Sequence, residues 1–194
     1  MRLVFATNNQ HKLMEIGKML DGNSMILSLE DIGCKEELPE ERHTLEENAS
    51  QKAWYIYDKY GFSCFADDTG LEIEALNGEP GVYSARYAGP ERNPEANIDK
   101  VLLQLSKINN RNARFRTVIS LVLNGKETRF EGVVNGTILH ERKGGSGFGY
   151  DPIFKPDESE LSFAEMTLDE KNKISHRARA IVQLVEFVKH QRKK

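Results

Sequence analysis

The sequence contains few of the features that mark disulfide-rich, secreted or membrane-spanning proteins. Its 194 residues include only two cysteines, Cys34 and Cys64, and their spacing does not match a Cys-x-x-Cys motif, so neither a disulfide framework nor a zinc site is expected. The longest aliphatic stretch, residues 118–123, is far shorter than the ~20 residues of a membrane span. The apolar residues 3–6 are too few for the core of a signal peptide. We therefore expect a cytoplasmic protein without a membrane partner.

An excess of charge of one sign is also missing. The chain has 27 basic and 30 acidic side chains and a formal net charge of −3, whereas a dedicated nucleic-acid binder carries a net basic surface. Basic clusters at residues 111–116 and 189–194 are most simply a solvated strand face and a solvated helix end, although a nucleic-acid-binding module remains the alternative. A length of 194 residues with 39% hydrophobic side chains predicts one folded domain over residues 1–194, without a nucleic-acid partner.

Hydrophobic periodicity and turn signals predict an alternation of strands and helices. An apolar run over residues 2–6 is typical of a buried strand, and a helical stripe follows it at Leu13, Ile16, Met19 and Leu20. Thr44 opens a Ser/Thr-x-x-Glu capping box, which predicts a helix that runs to about Tyr60 and ends at Gly61. The pair Asn124-Gly125 predicts a type I′ hairpin between two strands.

Other boundaries follow from the same signals. Residues 25–29 and 62–66 are expected to be strands, the second of which ends in an Asp-rich turn before extended structure resumes at residue 71. Asn93-Pro94 predicts a helix start, with the helix running to about Lys107, and the last helix is expected over residues 175–190. Because helices occur together with strands that can pair in both parallel and antiparallel fashion, we expect an α/β fold with a mixed sheet.

Polar residues follow the first strand and open the next helix, at Thr7–Lys12. Free backbone N–H groups at a helix N-terminus attract anions, and Lys12 adds a full positive charge. The segment therefore fits a phosphate site, or simply an Asn-rich turn with a solvated lysine.

Two adjacent carboxylates, Asp67 and Asp68, are expected at the end of a strand. Because like charges repel, such a pair needs a cation or strong donors beside it. The pair suits Mg²⁺, which takes oxygen ligands and bridges substrate phosphates, or one carboxylate could activate a water. The alternative is an Asp-rich turn leading into Gly70.

Two further segments carry candidate ligand-binding groups. Asn48 and Lys52 lie four residues apart and share a helix face, as they would on many surface helices. The glycine-rich loop over residues 144–151 lacks both the Walker A lysine and the helix that follows a Rossmann fingerprint. It offers Phe148 for stacking, and His176 and Arg177 at the start of the following helix could donate to a base edge. The alternative is a hairpin loop followed by a capped helix.

Taken together, the sequence resembles the Ham1-like family of non-canonical purine nucleoside triphosphate pyrophosphatases. The matching segments occur in the family's order: Thr7-x-Asn9-x-x-Lys12, Glu47-Asn48-Ala49-x-x-Lys52-Ala53, Ala66-Asp67-Asp68-Thr69-Gly70-Leu71, Pro80-Gly81-Val82-Tyr83-Ser84-Ala85-Arg86-Tyr87, Gly147-Phe148-Gly149-Tyr150-Asp151-Pro152 and Lys173-Ile174-Ser175-His176-Arg177. The resemblance implies a two-lobed α/β fold, with a long twisted mixed β-sheet flanked by helices and the active-site cleft between the lobes, usually in a homodimer. It also implies Mg²⁺-dependent hydrolysis of ITP, dITP and XTP between the α and β phosphates.

The resemblance assigns roles residue by residue. The triphosphate would be held by Thr7, Asn8, Asn9, Gln10, His11 and Lys12, with Lys52 as a second neutralising charge. Asp68 would be the metal ligand and general base, with Asp67 beside it and Thr69 against the substrate. A second metal ligand would be Glu40, or Glu41 if the register shifts by one. The base would be held and read by Phe148, Gly149, Tyr150, Asp151, Lys171, His176 and Arg177.

Two departures from the family pattern accompany the resemblance. Thr69 stands where serine is more usual, which keeps the hydroxyl. Gly145-Ser146-Gly147 replaces the usual Thr-Gly-Gly, which shifts one glycine of the loop. The related Maf-like pyrophosphatases are a weaker match, because the Ser-x-Ser-x-Arg opening expected of them is missing.

Overall fold

The computed structural model describes residues 2–19 and 25–191, and only the backbone of residues 17–19 and 25. In these residues the helices and strands are β1 (Arg2–Phe5), α1 (Gln10–Met19), β2 (Met25–Leu27), α2 (Leu45–Tyr60), β3 (Cys64–Ile73), α3 (Pro94–Gln104), β4 (Asn112–Leu123), β5 (Lys126–Ile138), β6 (Phe154–Pro156), α4 (Leu168–Ile174) and α5 (His176–Gln191). Leu20 of the predicted stripe and residues 192–194 of the basic tail lie outside the described residues. None of the described helices is long and apolar enough to cross a membrane.

The strands form one mixed sheet in the order β2-β1-β3-β4-β5-β6, which confirms the predicted α/β class. Strand β1 is parallel to both β2 and β3, whereas β5 and β6 are antiparallel. Phe5 lies opposite Phe65. Because β1 and β3 run in the same direction, the polar segment that follows β1 begins beside the acidic pair of β3.

The chain divides into two compact units. The first comprises Met1–Asp68, Thr117–Gly132 and Arg177–Lys194, and the second comprises Thr69–Arg116 and Val133–His176. A single domain over residues 1–194 stays a prediction. In the core of the first unit, the rings of Phe5 and Phe65 stack with centroids 4.7 Å apart. In the second, the rings of Phe115 and Phe154 meet edge to face, also 4.7 Å apart.

Local capping and turn chemistry fix several element boundaries as the sequence predicts. The Thr44 side chain accepts a hydrogen bond from the N–H of Glu47 at 3.1 Å, and Gly61 ends α2 in a left-handed conformation. Asn124 and Gly125 both have positive φ, 51° and 77°, as a type I′ turn requires. The hairpin joining β4 to β5 is thereby confirmed.

The structure corrects the expectation that the acidic pair lies at the end of a strand. Strand β3 is continuous from Cys64 to Ile73, so Asp67-Asp68-Thr69-Gly70 lies inside it. Gly70 permits this path, because a Cβ there would lie 2.6 Å from the carbonyl oxygen of Gly81. The composition of the segment favours a turn, but neighbouring cations make an extended path tolerable for the acidic pair.

Three helix and strand ends also differ from expectation by a few residues. Strand β2 ends at Leu27 instead of residue 29, and α3 ends at Gln104 instead of Lys107. The last helix begins at His176, because the N–H of Ser175 still donates to the carbonyl of Lys171 and closes α4. None of these shifts moves a candidate site residue off its element.

Candidate active site

In the first unit, two lysines from different helices converge on the acidic pair of β3. The Nζ of Lys12 donates to Asp67 Oδ1 at 2.9 Å. The Nζ of Lys52 donates to the backbone oxygen of Asp67 at 2.8 Å and lies 3.8 Å from Asp68 Oδ1. Lys12 stands in the first turn of α1 and Lys52 two turns into α2. The fold therefore brings to Asp67 one lysine that is 55 positions away in the sequence and one that is 15 positions away.

The environment moves the pKa values of the two carboxyl groups in opposite directions. Burial disfavours the charged form of Asp67, but Lys12, Arg177 and Lys52 outweigh it and hold its pKa well below the usual range. Burial raises the pKa of Asp68, and Lys52 and Lys12 offset this only in part. Asp67 is thus a fixed anion, whereas Asp68 is the stronger proton acceptor of the two. Such separation of neighbouring carboxyl groups is typical of acid–base sites.

The two lysines themselves respond differently to burial. Burial lowers the pKa of Lys12, which Asp67 only partly restores. Burial acts on Lys52 in the same direction, but the carboxylates of Asp68, Glu40 and Asp67 outweigh it and the net pKa is raised. Lys52 is therefore the more firmly held of the two positive charges.

Arg177 belongs to this same cluster. Its side chain is buried in the first unit, where Nε donates to Asp67 Oδ2 at 3.2 Å and Nη1 pairs with the carboxylate of Glu15. Sequence reasoning missed Glu15. The available signal was its position beside Ile16 and three residues after Lys12, on the buried face of α1, where an acidic side chain needs a buried partner.

The segment between β1 and α1 uses part of its hydrogen-bonding capacity internally. The side-chain oxygen of Asn9 accepts from the N–H groups of His11 and Lys12, at 2.9 and 3.3 Å. The side chain of Asn8 bonds to the backbone of residues 36 and 38, both at 3.4 Å. The N–H of Asn9 also donates to Thr7 Oγ1, at 3.2 Å, so three of the backbone N–H groups expected to bind phosphate have a partner within the segment. Thr7 is buried, Asn9 is half-buried, and Gln10 and His11 are exposed.

Glu40 and Asp68 approach the same lysine from different segments of the first unit. Glu40 Oε1 accepts from Lys52 Nζ at 2.6 Å, while the backbone N–H of Glu41 donates to the Gln51 side chain at 3.2 Å. The carboxylate of Glu40, and not that of Glu41, therefore shares a partner with Asp68. No group of three or more His, Cys, Asp or Glu side chains suited to a metal ion occurs among the described residues.

Asn48 stands between the acidic pair and the loop that carries Glu40. Its Nδ2 donates to Asp68 Oδ2 at 3.0 Å, and its Oδ1 accepts from the backbone N–H of Arg42 at 2.9 Å. The side chain is buried. The sequence places Asn48 on one face with Lys52 but gives no indication of these partners.

The second unit holds the other group of candidate residues. Lys171 Nζ donates to Asp151 Oδ2 at 2.6 Å, and the same oxygen accepts from the N–H of Phe148 at 2.9 Å. The ring of Phe148 lies 5.0 Å from the ammonium of Lys171, and that of Phe163 lies 5.4 Å from it. The aromatic rings of Phe148 and Phe163 thus lie beside a buried ion pair, an arrangement in which the rings also attract the ammonium group.

Four more candidates belong to the second unit. Tyr150 is buried and donates its hydroxyl to the carbonyl of Ser84 at 2.8 Å, and burial raises the pKa of the phenol. The His176 ring stacks on Phe115 with centroids 4.6 Å apart. Gly149 has a positive φ of 61°, a conformation that glycine adopts without strain. Thr69 is half-buried within β3.

The basic cluster at residues 111–116 is only in part a solvated strand face, because Arg114 on β4 is exposed whereas Arg111 is buried. Arg111 is buried and donates to the backbone oxygens of Ile138, Leu105 and Leu139 at 2.6, 3.1 and 2.7 Å. Arg114 and Arg116 each pair with Glu72, at 2.6 and 2.9 Å. These arginines are held by partners of the second unit, which weakens the nucleic-acid alternative.

Comparisons with known proteins agree with the resemblance. A profile of the Ham1 family matches residues 3–187. A dITP/XTP pyrophosphatase of Flavobacterium psychrophilum is 53% identical over 190 residues, which span 98% of this chain and 100% of the relative. Solved Ham1 structures from Staphylococcus aureus and Coxiella burnetii match with TM-scores of 0.89 and 0.90. They are 37% and 36% identical, each over 98% of this chain and 100% and 99% of their own. The chain belongs to the Ham1 family.

Proposed function

We propose that the chain hydrolyses the non-canonical purine nucleoside triphosphates ITP, dITP and XTP to the monophosphate and pyrophosphate. The observation that carries the proposal is the pair Asp67-Asp68 with Lys12 and Lys52 converging on it. A phosphate-binding module has no use for two adjacent carboxylates, of which Asp67 is buried and Asp68 half-buried, whereas a phosphate hydrolase needs both cations and a base. The relative named dITP/XTP pyrophosphatase supports the same substrate class.

The phosphate chain is assigned to the first unit. Lys12 and Lys52 neutralise the triphosphate and the charge that develops on the leaving pyrophosphate. The exposed side chains of Gln10 and His11, together with Thr7, Asn8 and Asn9, hold the phosphate oxygens. Because Asn9 already occupies two N–H groups of the helix start, side chains and the lysine charge carry more of this binding than backbone groups do.

A divalent cation, Mg²⁺, fits the carboxylates of Asp68 and Glu40. Both carboxylates reach the same ammonium group, at 3.8 and 2.6 Å, and Glu40 adds to the raised pKa of Asp68, so a bound cation would relieve their repulsion. Carboxylate oxygens are the ligands that Mg²⁺ takes in proteins. When bound, the cation supplies charge stabilisation to the phosphoryl group.

Asp68 is the general base of the proposed reaction. A water molecule attacks the α-phosphorus in line with the bond to the β-phosphate, its proton passes to the Asp68 carboxylate, and pyrophosphate leaves. The raised pKa makes Asp68 the better proton acceptor of the pair. Asp67, fixed as an anion between Lys12 and Arg177, keeps those cations in place.

The base is assigned to the second unit, around the loop that contains Phe148. Inosine and xanthine carry a 6-keto acceptor where adenine has an amino donor, so a site of donors leaves adenine mispaired. Lys171 and His176 are the candidate donors, and Gly149, Tyr150 and Asp151 help to hold the base. Thr69 contacts the substrate. The base-reading role of Arg177 stays a prediction, and its partners in the structure are Asp67 and Glu15.

Three further properties are proposed from the family relationship. The protein acts as a homodimer, works in the cytoplasm, and removes deaminated purines from the nucleotide pool. Analytical ultracentrifugation tests the first of these, with a single species at the mass of two chains as the expected result.

Replacement of Asp68 by Asn tests the catalytic assignment, because it removes the charge and keeps the volume. We expect kcat for ITP to fall by about 100-fold or more, the usual contribution of a general base. Asp58→Asn, an exposed change on α2, is the matched control and should leave kcat unchanged. Asp68→Asn with more than a tenth of the normal kcat, a loss under about 1.4 kcal/mol, contradicts the role.

A further inference from the structure

The amide of Asn48 links the Asp68 carboxylate to the loop that carries Glu40 through two hydrogen bonds. Nδ2 donates to Asp68 Oδ2 and Oδ1 accepts from the N–H of Arg42, at 3.0 and 2.9 Å. The residue is 1% exposed. A buried amide is costly unless both of its ends are bonded, so its place on α2 depends on these two partners.

The first bond distinguishes the two oxygens of Asp68. Oδ2 accepts from Asn48, whereas Oδ1 is the oxygen 3.8 Å from the ammonium of Lys52. Rotation of the carboxylate would break the bond to the amide. Asn48 therefore holds the carboxylate plane and directs Oδ1 to the side of Lys52, where the phosphate chain is proposed to bind.

The second bond fixes the loop that carries Glu40. Arg42 lies two residues after Glu40, and its N–H is tied to the same amide that orients Asp68. The side chain of Gln51 holds the neighbouring N–H of Glu41. One amide on α2 thus bonds both to the Asp68 carboxylate and to the backbone of the loop that carries Glu40.

We propose that Asn48 is a positioning residue, which holds the Asp68 carboxylate with Oδ1 toward Lys52 and ties it to the Glu40 loop. The inference rests on the proposed function, in which Asp68 is the general base. Asn48 acts on turnover through Asp68, and it makes no contact with substrate in this account.

Two substitutions separate the bond to Asp68 from the bond to Arg42. Asn48→Asp keeps an oxygen for the N–H of Arg42 and nearly the same volume, but it replaces the donor to Asp68 by a like charge. Asn48→Ala removes both bonds. If loop anchoring alone mattered, the aspartate variant would behave like the unmodified protein and only the alanine variant would be impaired.

A matched control is available in the second unit. Asn97 is also a buried helical asparagine, whose Oδ1 accepts from the N–H of Ala88 at 2.6 Å and whose Nδ2 donates to the carbonyl of Ala85 at 3.1 Å. Asn97→Asp therefore has the same chemical change and a similar structural cost, without a catalytic carboxylate as its partner.

The experiment measures kcat and KM for ITP with Mg²⁺, together with urea unfolding, for Asn48→Asp, Asn48→Ala, Asn97→Asp and Asp68→Asn. Loss of a hydrogen bond to a charged group predicts that Asn48→Asp lowers kcat by about tenfold or more while KM changes little. Asn97→Asp should lose similar stability and keep its kcat.

The outcomes separate this inference from the proposed function. If Asn48→Asp keeps its kcat within about twofold while Asp68→Asn is inactive, or if Asn97→Asp loses as much kcat as Asn48→Asp, the positioning role is overturned and the function stands. An active Asp68→Asn overturns the proposed function, and the inference with it.

Discussion

Lys52→Met tests whether the ammonium of Lys52 is the charge that stabilises the carboxylates of Glu40 and Asp68. The side chain of Lys52 is 5% exposed, and its ammonium is bonded to Glu40 at 2.6 Å and to the backbone of Asp67 at 2.8 Å. Methionine fills the same volume but leaves the carboxylates of Glu40 and Asp68 without their common counter-charge. Removing one partner of a buried ion pair costs about 3–5 kcal/mol, and the 27% exposure of the Glu40 side chain puts the expected loss at the lower end.

The assay is thermal and urea unfolding without metal, then with saturating MgCl₂. A loss of about 3 kcal/mol corresponds to about 6–12 °C in Tm for a chain of this length. Because the two carboxylates then lack a cation, MgCl₂ should raise the Tm of Lys52→Met more than that of the unmodified protein.

Lys59→Met on the same helix is the control, since the side chain of Lys59 is 52% exposed and solvent screens its pair with Glu36, so a much smaller loss of stability is expected. If Lys52→Met unfolds within about 1 kcal/mol of the unmodified protein, the electrostatic argument for the site is refuted.

Three further predictions concern other parts of the two units. Burial raises the pKa of the Cys64 thiol to about 12, so a thiol reagent at neutral pH should modify it only on unfolding; rapid reaction in the native state would contradict this burial. Hydrogen bonds from a lysine and two tyrosines lower the pKa of Glu36 from 4.5 to about 2, so its contribution to stability is present above pH 4.5 and is lost as the pH falls toward 2. As the pH falls over that range, the free energy of unfolding of Glu36→Gln should decrease less than that of Glu37→Gln. Equal decreases in the two variants would contradict the hydrogen bonds to Glu36. Gly147 has a φ of 77° and a Cβ there would meet a buried carboxylate, so Gly147→Ala should raise KM for ITP by about 5-fold or more, whereas Gly145→Ala should not.

Local chemistry made much of the fold predictable. The Thr44 capping box and Gly61 determine the bounds of α2, and Asn124-Gly125 determines the hairpin, because each of these signals acts within a few residues. The family motifs place Lys12, Lys52 and the acidic pair on the first unit's elements in the expected order.

The remaining features depend on partners that are distant in sequence. Asp67-Asp68 has the composition of a turn, yet it lies within β3, where Lys12, Lys52 and Arg177 lower the pKa of Asp67 and so stabilise its charged form. Arg177 and Glu15 form an ion pair although they are 162 positions apart in the sequence, and no local sequence pattern predicts it.

A similar limit applies to the basic residues. In the sequence, Arg111 is one of several arginines in a basic cluster, and nothing sets it apart from the others. In the structure it is buried and donates to three backbone oxygens of the second unit. Side-chain burial of this kind is decided by tertiary packing, which sequence spacing alone does not encode.

The most direct test of the central claim is the product released from a panel of nucleotides by the purified protein. ITP, XTP, dITP, GTP, ATP and dTTP are supplied with Mg²⁺ and, in parallel, with EDTA, and pyrophosphate and monophosphate are quantified. The account predicts rapid, metal-dependent release of pyrophosphate from ITP, dITP and XTP, with slow release from ATP and GTP. Preferential hydrolysis of dTTP, or no pyrophosphate from any of the six, would contradict it.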